Sequence, residues 1–272
     1  MINTDGRIDR IESIANEGAE IAFEGFRSDI DPETKGGADR VVNAGDVVTE
    51  LDRDAQRAMR TAIRDRYPED AFVGEEGDVR KSVPEDGFAW VVDPIDGTYN
   101  FVRGLPTWST AVALVSDGEP IAAATVAPAM ENTYVAETGS VTRNGRPITV
   151  SDRTDPETFA VAYTVVPGLG EREAYSDGVA AMLRRFGEVR RIGSLQIVLG
   201  LVASGALDGV VTPAVVSPWD SVGGVHLVRE AGGVVTDVYG EPWTEGSTGL
   251  VASNGAAHDR LRTIGRRMAE PS

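Results

Sequence analysis

The chain has no cysteine, only two histidines (His226 and His258) and only two lysines (Lys35 and Lys81) among its 272 residues. Without cysteine there are no disulfides, thiolate metal sites or cysteine nucleophiles, and two histidines leave little room for imidazole chemistry. Any catalysis is expected to run on oxygen ligands. No run approaches the roughly 18 apolar residues of a membrane span. The start, Met1-Ile2-Asn3-Thr4-Asp5, lacks the basic and apolar regions of a secretory signal, so a cytoplasmic protein is expected. Arginine supplies 24 of the 26 basic residues, against 43 acidic ones, for a net charge of −17. Such a surface does not attract nucleic acid or an anionic membrane, and neither is expected as a partner. Acidic surfaces stripped of lysine resemble those of proteins from salt-accumulating, halophilic organisms, where screening removes self-repulsion. Hydrophobic content of 41% is ordinary, and the length allows one large or two moderate domains.

What is present is organised around residues 88–101, Phe-Ala-Trp-Val-Val-Asp-Pro-Ile-Asp-Gly-Thr-Tyr-Asn-Phe. Five apolar residues read as a buried strand whose far end releases two carboxylates, Asp93 and Asp96. Pro94 steers Asp93 away from helical geometry, and Gly97 permits a backbone that a Cβ would resist. Two carboxylates about 4 Å apart repel by roughly 4 kcal/mol at an effective dielectric of 20, and a cation between them reverses the sign. Oxygen-only ligands favour a hard ion, Mg²⁺ before Mn²⁺ or Ca²⁺, and the Ile95 carbonyl can add a backbone ligand. The competing reading is an ordinary Asp-Pro turn after a strand.

Before this stretch, apolar residues at three and four spacing predict a helix from about Asp5 to Arg27. The polar, glycine-containing segment from Asp29 to Asp46 reads as a long mobile loop of the kind that forms lids. Lys35 on it can reach a phosphate, or can be a solvated loop lysine. Thr49 and Asp52 fit a helix cap opening a second helix to about Arg66. Ala71-Phe72-Val73-Gly74 ends in Glu75-Glu76, a second strand end offering carboxylates.

Beyond it, Trp108 to Val115, Ile121 to Val126 and Thr133 to Ala136 read as an antiparallel meander, with Asp117-Gly118 and Asn144-Gly145 as hairpin turns. From about Ser151 strands and helices alternate. Strands are expected near Phe159 to Thr164, Val189 to Ile192, Leu207 to Val211 and Gly249 to Ala252. Helices are expected near Glu171 to Phe186, Leu195 to Ala203, Asp220 to Ala231 and Ala257 to Met268. Gly193-Ser194 at a helix start can bind an anion through free N–H groups, or can be a plain serine cap. Asp220 in a first helical turn is either a capping aspartate or a further carboxylate for the metal site. His226 and His258 read as structural or surface residues.

Gly74-Glu75-Glu76, Asp93-Pro94-Ile95-Asp96-Gly97-Thr98, and Trp219-Asp220 followed by Gly232-Gly233 together resemble the inositol monophosphatase family of Mg²⁺-dependent, lithium-sensitive phosphatases. The resemblance extends to Lys35, Val48-Thr49 with Asp52, Gly193-Ser194 and Ala252-Ser253-Asn254. It implies a layered αβαβα sugar-phosphatase fold, with an α+β part over 1–150 and an α/β part over 151–272. It also implies that Glu75, Asp93 and the Ile95 carbonyl hold one Mg²⁺, and that Asp93, Asp96 and Asp220 hold a second. It leaves room for a third, looser ion near Glu75, so two or three Mg²⁺ are implied. Glu75 and Thr98 would position the attacking water, Asp52 would partner the Thr98 hydroxyl, and the N–H groups of Gly97 and Thr98 would hold phosphate. The implied protein is a homodimer acting on a small-molecule phosphate ester of the inositol 1-phosphate type.

Two departures concern the substrate. Inositol-specific members carry a glutamate about seven residues before the Trp-Asp aspartate, where this chain reads Thr212-Pro213-Ala214. Tyr99 replaces the usual second threonine, and Gly-Thr-Tyr-Asn resembles archaeal members that also cleave fructose 1,6-bisphosphate. Histidinol phosphate and 3′-phosphoadenosine 5′-phosphate are further family substrates. A regulatory protein-binding member is the non-enzymatic alternative, against which stands the presence of every metal and water residue.

Overall fold

The computed structural model describes residues 4, 6–28, 33–34, 47–164 and 172–270. Two helices open the fold: α1 (Ile11–Gly25), entered through a 3-10 turn at Ile8–Arg10, and α2 (Glu50–Arg66). The expected first helix from Asp5 is therefore shorter. Between them the pair β1 (Glu33–Thr34) and β2 (Val47–Val48) is antiparallel. Thr49 caps α2 reciprocally with Asp52, as the spacing predicts.

The larger sheet holds seven strands in sequence order: β3 (Ala71–Gly74), β4 (Phe88–Asp96), β5 (Ser109–Ser116), β6 (Glu119–Ala127), β7 (Asn132–Glu137), β8 (Ser140–Arg143) and β9 (Arg146–Pro147). Only β3 and β4 run parallel; every later pair is antiparallel. Asp117-Gly118 and Asn144-Gly145 turn the chain with both residues at positive φ, the geometry that suits the strand twist. After β4 comes the short helix α3 (Thr98–Val102).

The second sheet has the order β11-β10-β12-β14-β13. Its members are β10 (Ala160–Tyr163), β11 (Glu188–Arg190), β12 (Gly209–Thr212), β13 (Val234–Thr236) and β14 (Leu250–Ser253). The helices among them are α4 (Arg172–Leu183), α5 (Leu195–Ala203), α6 (Pro218–Glu230) and α7 (His258–Ala269). The expected strands and helices match within a few residues, except β13, which the sequence reading leaves out.

Alternation along β4 builds the layers. Trp90 and Val92 pack with Ile11, Ile14, Met59 and Ile63 of α1 and α2. Ala89 and Val91 face the opposite way, into a core with Leu195, Val198 and Leu199 of α5 and Val222 and Val225 of α6. The same core takes Ala162, Val210 and Ala252 from one face of the second sheet, while Val161, Val211 and Val251 pack outward on Tyr175, Met182, Leu261 and Ile264. The order is helices, sheet, helices, sheet, helices, the layered αβαβα fold. A strand covered on both faces must be apolar throughout, which explains the unbroken apolar start of β4.

Candidate metal and phosphate site

The ladder between β4 and β5 slips between Asp93 and Asp96, so β4 bulges at Pro94-Ile95. Proline has no N–H to give the ladder, and the Thr110 hydroxyl donates to the Pro94 carbonyl at 2.8 Å. The bulge ends at Gly97, at φ 91°, where a Cβ would stand 3.1 Å from the carbonyls of both Gly193 and Thr107. Gly193, at φ 88°, is held by Asn100, whose amide donates to Ile192 O and Thr107 O at 2.8 and 2.7 Å. Both glycines are required by conformation and space together.

Asp93 and Asp96 are buried, and the bulge brings them to half-buried Asp220 in the first turn of α6. Among the described residues these three carboxylates each offer an oxygen within 4.8 Å of the others. Like charges at that separation cost about 3 kcal/mol per pair at an effective dielectric of 20. Burial pushes the Asp96 carboxyl up to about 6, the Glu75 charge adds to that rise, and hydrogen bonds from Ser194, Gln196 and Leu195 oppose it. An all-oxygen set of crowded carboxylates fits a hard divalent cation.

Asp96 also settles the fate of the helix start at Gly193-Ser194. Its carboxylate accepts the Ser194 hydroxyl and the N–H groups of Gln196 and Leu195, the latter two at 2.7 and 3.3 Å. The Ser194 oxygen accepts the Ile197 N–H at 3.2 Å as a cap. The anion expected at this N-terminus is thus a protein carboxylate nearly 100 residues earlier, and Ser194 reaches the site through Asp96. Gly193 is exposed at the rim.

Thr98 joins the site to α2. Its hydroxyl lies 2.9 Å from the Ile95 carbonyl and 3.2 Å from Asp52 Oδ1. Asp52 Oδ2 accepts the Thr49 N–H at 2.8 Å and the Thr49 hydroxyl at 2.5 Å. Burial lifts the Asp52 carboxyl to about 6; the Thr49 bonds pull it down, and the charges of Glu75 and Glu76 push it up. Glu75 is half-buried just past β3 and lies outside the group of three. Lys35 lies outside the described residues.

Several residues of the neighbourhood carry no sequence signal. Gln56 on α2 accepts the Glu76 N–H at 2.8 Å and donates to its carbonyl at 2.7 Å, acting as a strand edge for the acidic turn. A Cβ on Gly74 would stand 2.6 Å from the Gln56 Oε1, so the approach needs glycine. His226 and His258 are buried, and the His258 ring joins Thr236 and Ser253 at 2.9 and 3.0 Å, a structural role as expected. No helix among the described residues is long and apolar enough to cross a membrane.

Comparison with known proteins agrees with this geometry. Residues 7–268 match the sequence profile of the Inositol monophosphatase family. A Fructose-1,6-bisphosphatase/inositol-1-monophosphatase of Thermotoga maritima is 35% identical over 230 residues, covering 83% of this chain and 84% of the relative. A Histidinol-phosphatase of Mycobacterium tuberculosis is 34% identical over 227 residues, covering 79% and 83%. The solved structure of a Thermotoga maritima IMPase superposes with a TM-score of 0.85 at 31% identity, over 96% of this chain and 97% of that one. With its layered fold and the three converging aspartates, the chain belongs to the inositol monophosphatase family, a family of phosphoric monoester hydrolases.

Proposed function

We propose that the protein is a Mg²⁺-dependent phosphomonoesterase acting on a small polyol or sugar phosphate of the inositol 1-phosphate type. The observation that carries this reading is the convergence of Asp93, Asp96 and Asp220 from a strand bulge and a helix start. Asp93, Asp96, Asp220, Glu75 and the Ile95 carbonyl would hold two ions, with a third near Glu75. Bound Mg²⁺ supplies Lewis acidity and neutralises charge on the phosphoryl group as its ester bond breaks. The Thr98 hydroxyl donates to Asp52, which leaves its lone pairs to accept a hydrogen bond from the attacking water. Glu75 accepts the second hydrogen and orients that water. The N–H groups of Gly97 and Thr98 hold phosphate oxygens at the bulge, Gly193 borders the leaving group, and Lys35 adds a cation from its loop.

The alternative substrate is fructose 1,6-bisphosphate. The name of the Thermotoga maritima relative and Tyr99, 45% exposed directly after Thr98, favour keeping it open. Histidinol phosphate stands behind it on the name of a second relative. The same reading takes the protein as a cytoplasmic homodimer inhibited by lithium, with its active site between the parts before and after residue 150. An acidic excess with only two lysines supports a salt-rich setting.

The test is phosphate release in molar KCl with Mg²⁺, across inositol 1-phosphate, fructose 1,6-bisphosphate, histidinol phosphate and 3′-phosphoadenosine 5′-phosphate. Turnover abolished by a chelator and by Asp93→Asn is expected. A folded, Mg²⁺-binding protein that turns over none of them would overturn the phosphatase reading and favour a regulatory, protein-binding role.

A further inference from the structure

The three aspartates come from two segments, and Glu75 from a third, so some contact must hold α6 in register with the ends of β3 and β4. That contact converges on Trp219, the residue before Asp220. Gln196, fully buried near the start of α5, donates its side-chain N–H to the Trp219 carbonyl at 2.6 Å. The same residue donates its backbone N–H to Asp96 Oδ2 at 2.7 Å. One residue therefore touches one carboxylate of the site directly and the neighbour of another. The Gln196 side chain is fully buried, and its own Oε1 is buried without a hydrogen-bond partner among the described residues. A buried amide with an unsatisfied oxygen costs stability, so an apolar residue would serve packing better. Gly224 makes the reach feasible: a Cβ there would lie 2.4 Å from the Leu199 Cδ1 and 3.0 Å from the Gln196 Oε1.

The Trp219 ring is met by Lys81, one of two lysines in the chain. Its ammonium donates to the carbonyls of Gly74 and Glu75 at 2.9 and 2.7 Å. It also lies 5.3 Å from the centroid of the Trp219 ring, within cation–π range. The strand end that carries Glu75 is thereby tied to the helix start that carries Asp220.

We propose that Gln196 and Lys81 are positioning residues that grip Trp219 from two sides and so set the distance of Asp220 from Asp96 and Glu75. The inference rests on the metal-site reading above and adds the residues that hold the cage to size. Neither is a ligand; the Gln196 side chain acts through Trp219, and Lys81 ties Trp219 to the strand end that carries Glu75.

Gln196→Met keeps the volume and removes the donor, and Lys81→Met removes the cation from an exposed side chain. Mn²⁺ binding followed by electron paramagnetic resonance, without substrate, is the primary readout. Gln196→Met is expected to bind Mn²⁺ about tenfold more weakly and Lys81→Met about threefold. The Mg²⁺ concentration giving half-maximal rate should rise in parallel, while KM at saturating Mg²⁺ stays within about twofold. Lys81→Arg should restore affinity, because it keeps both the donors and the cation. Variants that bind Mn²⁺ as tightly as wild type, with only a lower metal-free Tm, would overturn the clamp and leave both residues structural. Wild-type protein that binds no Mn²⁺ would overturn the metal site itself. Should Gln196→Met not fold, the exposed Lys81 pair decides alone.

Discussion

Strand β4 meets carboxylates at both of its ends, and the two ends treat negative charge in opposite ways. At its start Asp70 accepts the Trp90 indole N–H at 2.9 Å and a two-pronged pair from Arg7, Nε at 2.8 Å and Nη2 at 2.9 Å. The Arg7 guanidinium lies over the Phe88 and Tyr67 rings, 4.2 and 4.6 Å from their centroids. Planar ion pairing and ring stacking are what arginine does better than lysine. This end carries its own cation and locks the N-terminal segment to the sheet. At the other end Asp93 and Asp96 meet Asp220, negative charge against negative charge. A chain that balances one carboxylate so fully and crowds three others separates a stabilising pair from a cluster that could hold a cation.

The comparison can be broken by exchanging the consequences. Asp93→Asn should lower phosphate release by about 10³-fold or more, since it removes a carboxylate from the cluster that could hold the metal. The same change removes a charge from the crowded group, so calorimetry of the metal-free variant should find it at least as stable as wild type. Loss of metal-free stability together with activity would mean that the cluster is structural.

Asp70→Asn should do the reverse. Breaking this part-buried pair costs about 3 kcal/mol, or roughly 5 °C in Tm for a chain of this size, while kcat and KM stay unchanged. A fall in kcat would show that the two ends of β4 are coupled.

Adding Mg²⁺ sharpens the contrast. At 100 times its dissociation constant the ion should stabilise wild type and Asp70→Asn alike by about 2.7 kcal/mol, and Asp93→Asn by much less, in thermal melts with and without chelator.

A smaller effect concerns pH. The folded-state values of Asp52 and Asp96 stand at about 6, above the ordinary 3.8. A carboxyl with a raised value holds its proton more tightly when folded. Its contribution to stability is complete below about 3.8 and disappears as the pH rises through about 6. Metal-free protein should therefore gain a few degrees in Tm as the pH falls from 7 to 5. Asp52→Asn should flatten the slope, and Mg²⁺ should oppose it by favouring the ionised carboxylates. An equal slope with and without Mg²⁺ would detach these groups from the metal site.

Legibility followed the range of the forces involved. The Asp93–Thr98 turn was readable because Pro94 and Gly97 restrict the backbone locally, and the type I′ hairpins were readable because Asp117-Gly118 and Asn144-Gly145 tolerate positive φ. The Thr49–Asp52 cap was readable at three-residue spacing, although its second use beneath Thr98 was not. Three-residue β13 is too short to carry a period and exists through pairing with β14. Gln56, Gln196 and Asp70 leave no pattern, because their partners lie 20 or more residues away.

The sequence by itself determined the layered fold, the carboxylate-bearing turn after β4, the aspartate at the start of α6 and the oxygen-based chemistry that a chain without cysteine must use. The fold was legible through the family resemblance, and the other features rest on side-chain period, backbone restriction and composition, which act within a few residues. Tertiary structure alone decided that Asp96 would take the α5 N-terminus, that Gln196 and Lys81 would converge on Trp219, and that one end of β4 would be neutralised while the other stayed crowded. These outcomes depend on which distant segments meet when the two sheets close on α5 and α6, where burial removes water and makes each charge answer to its new neighbours.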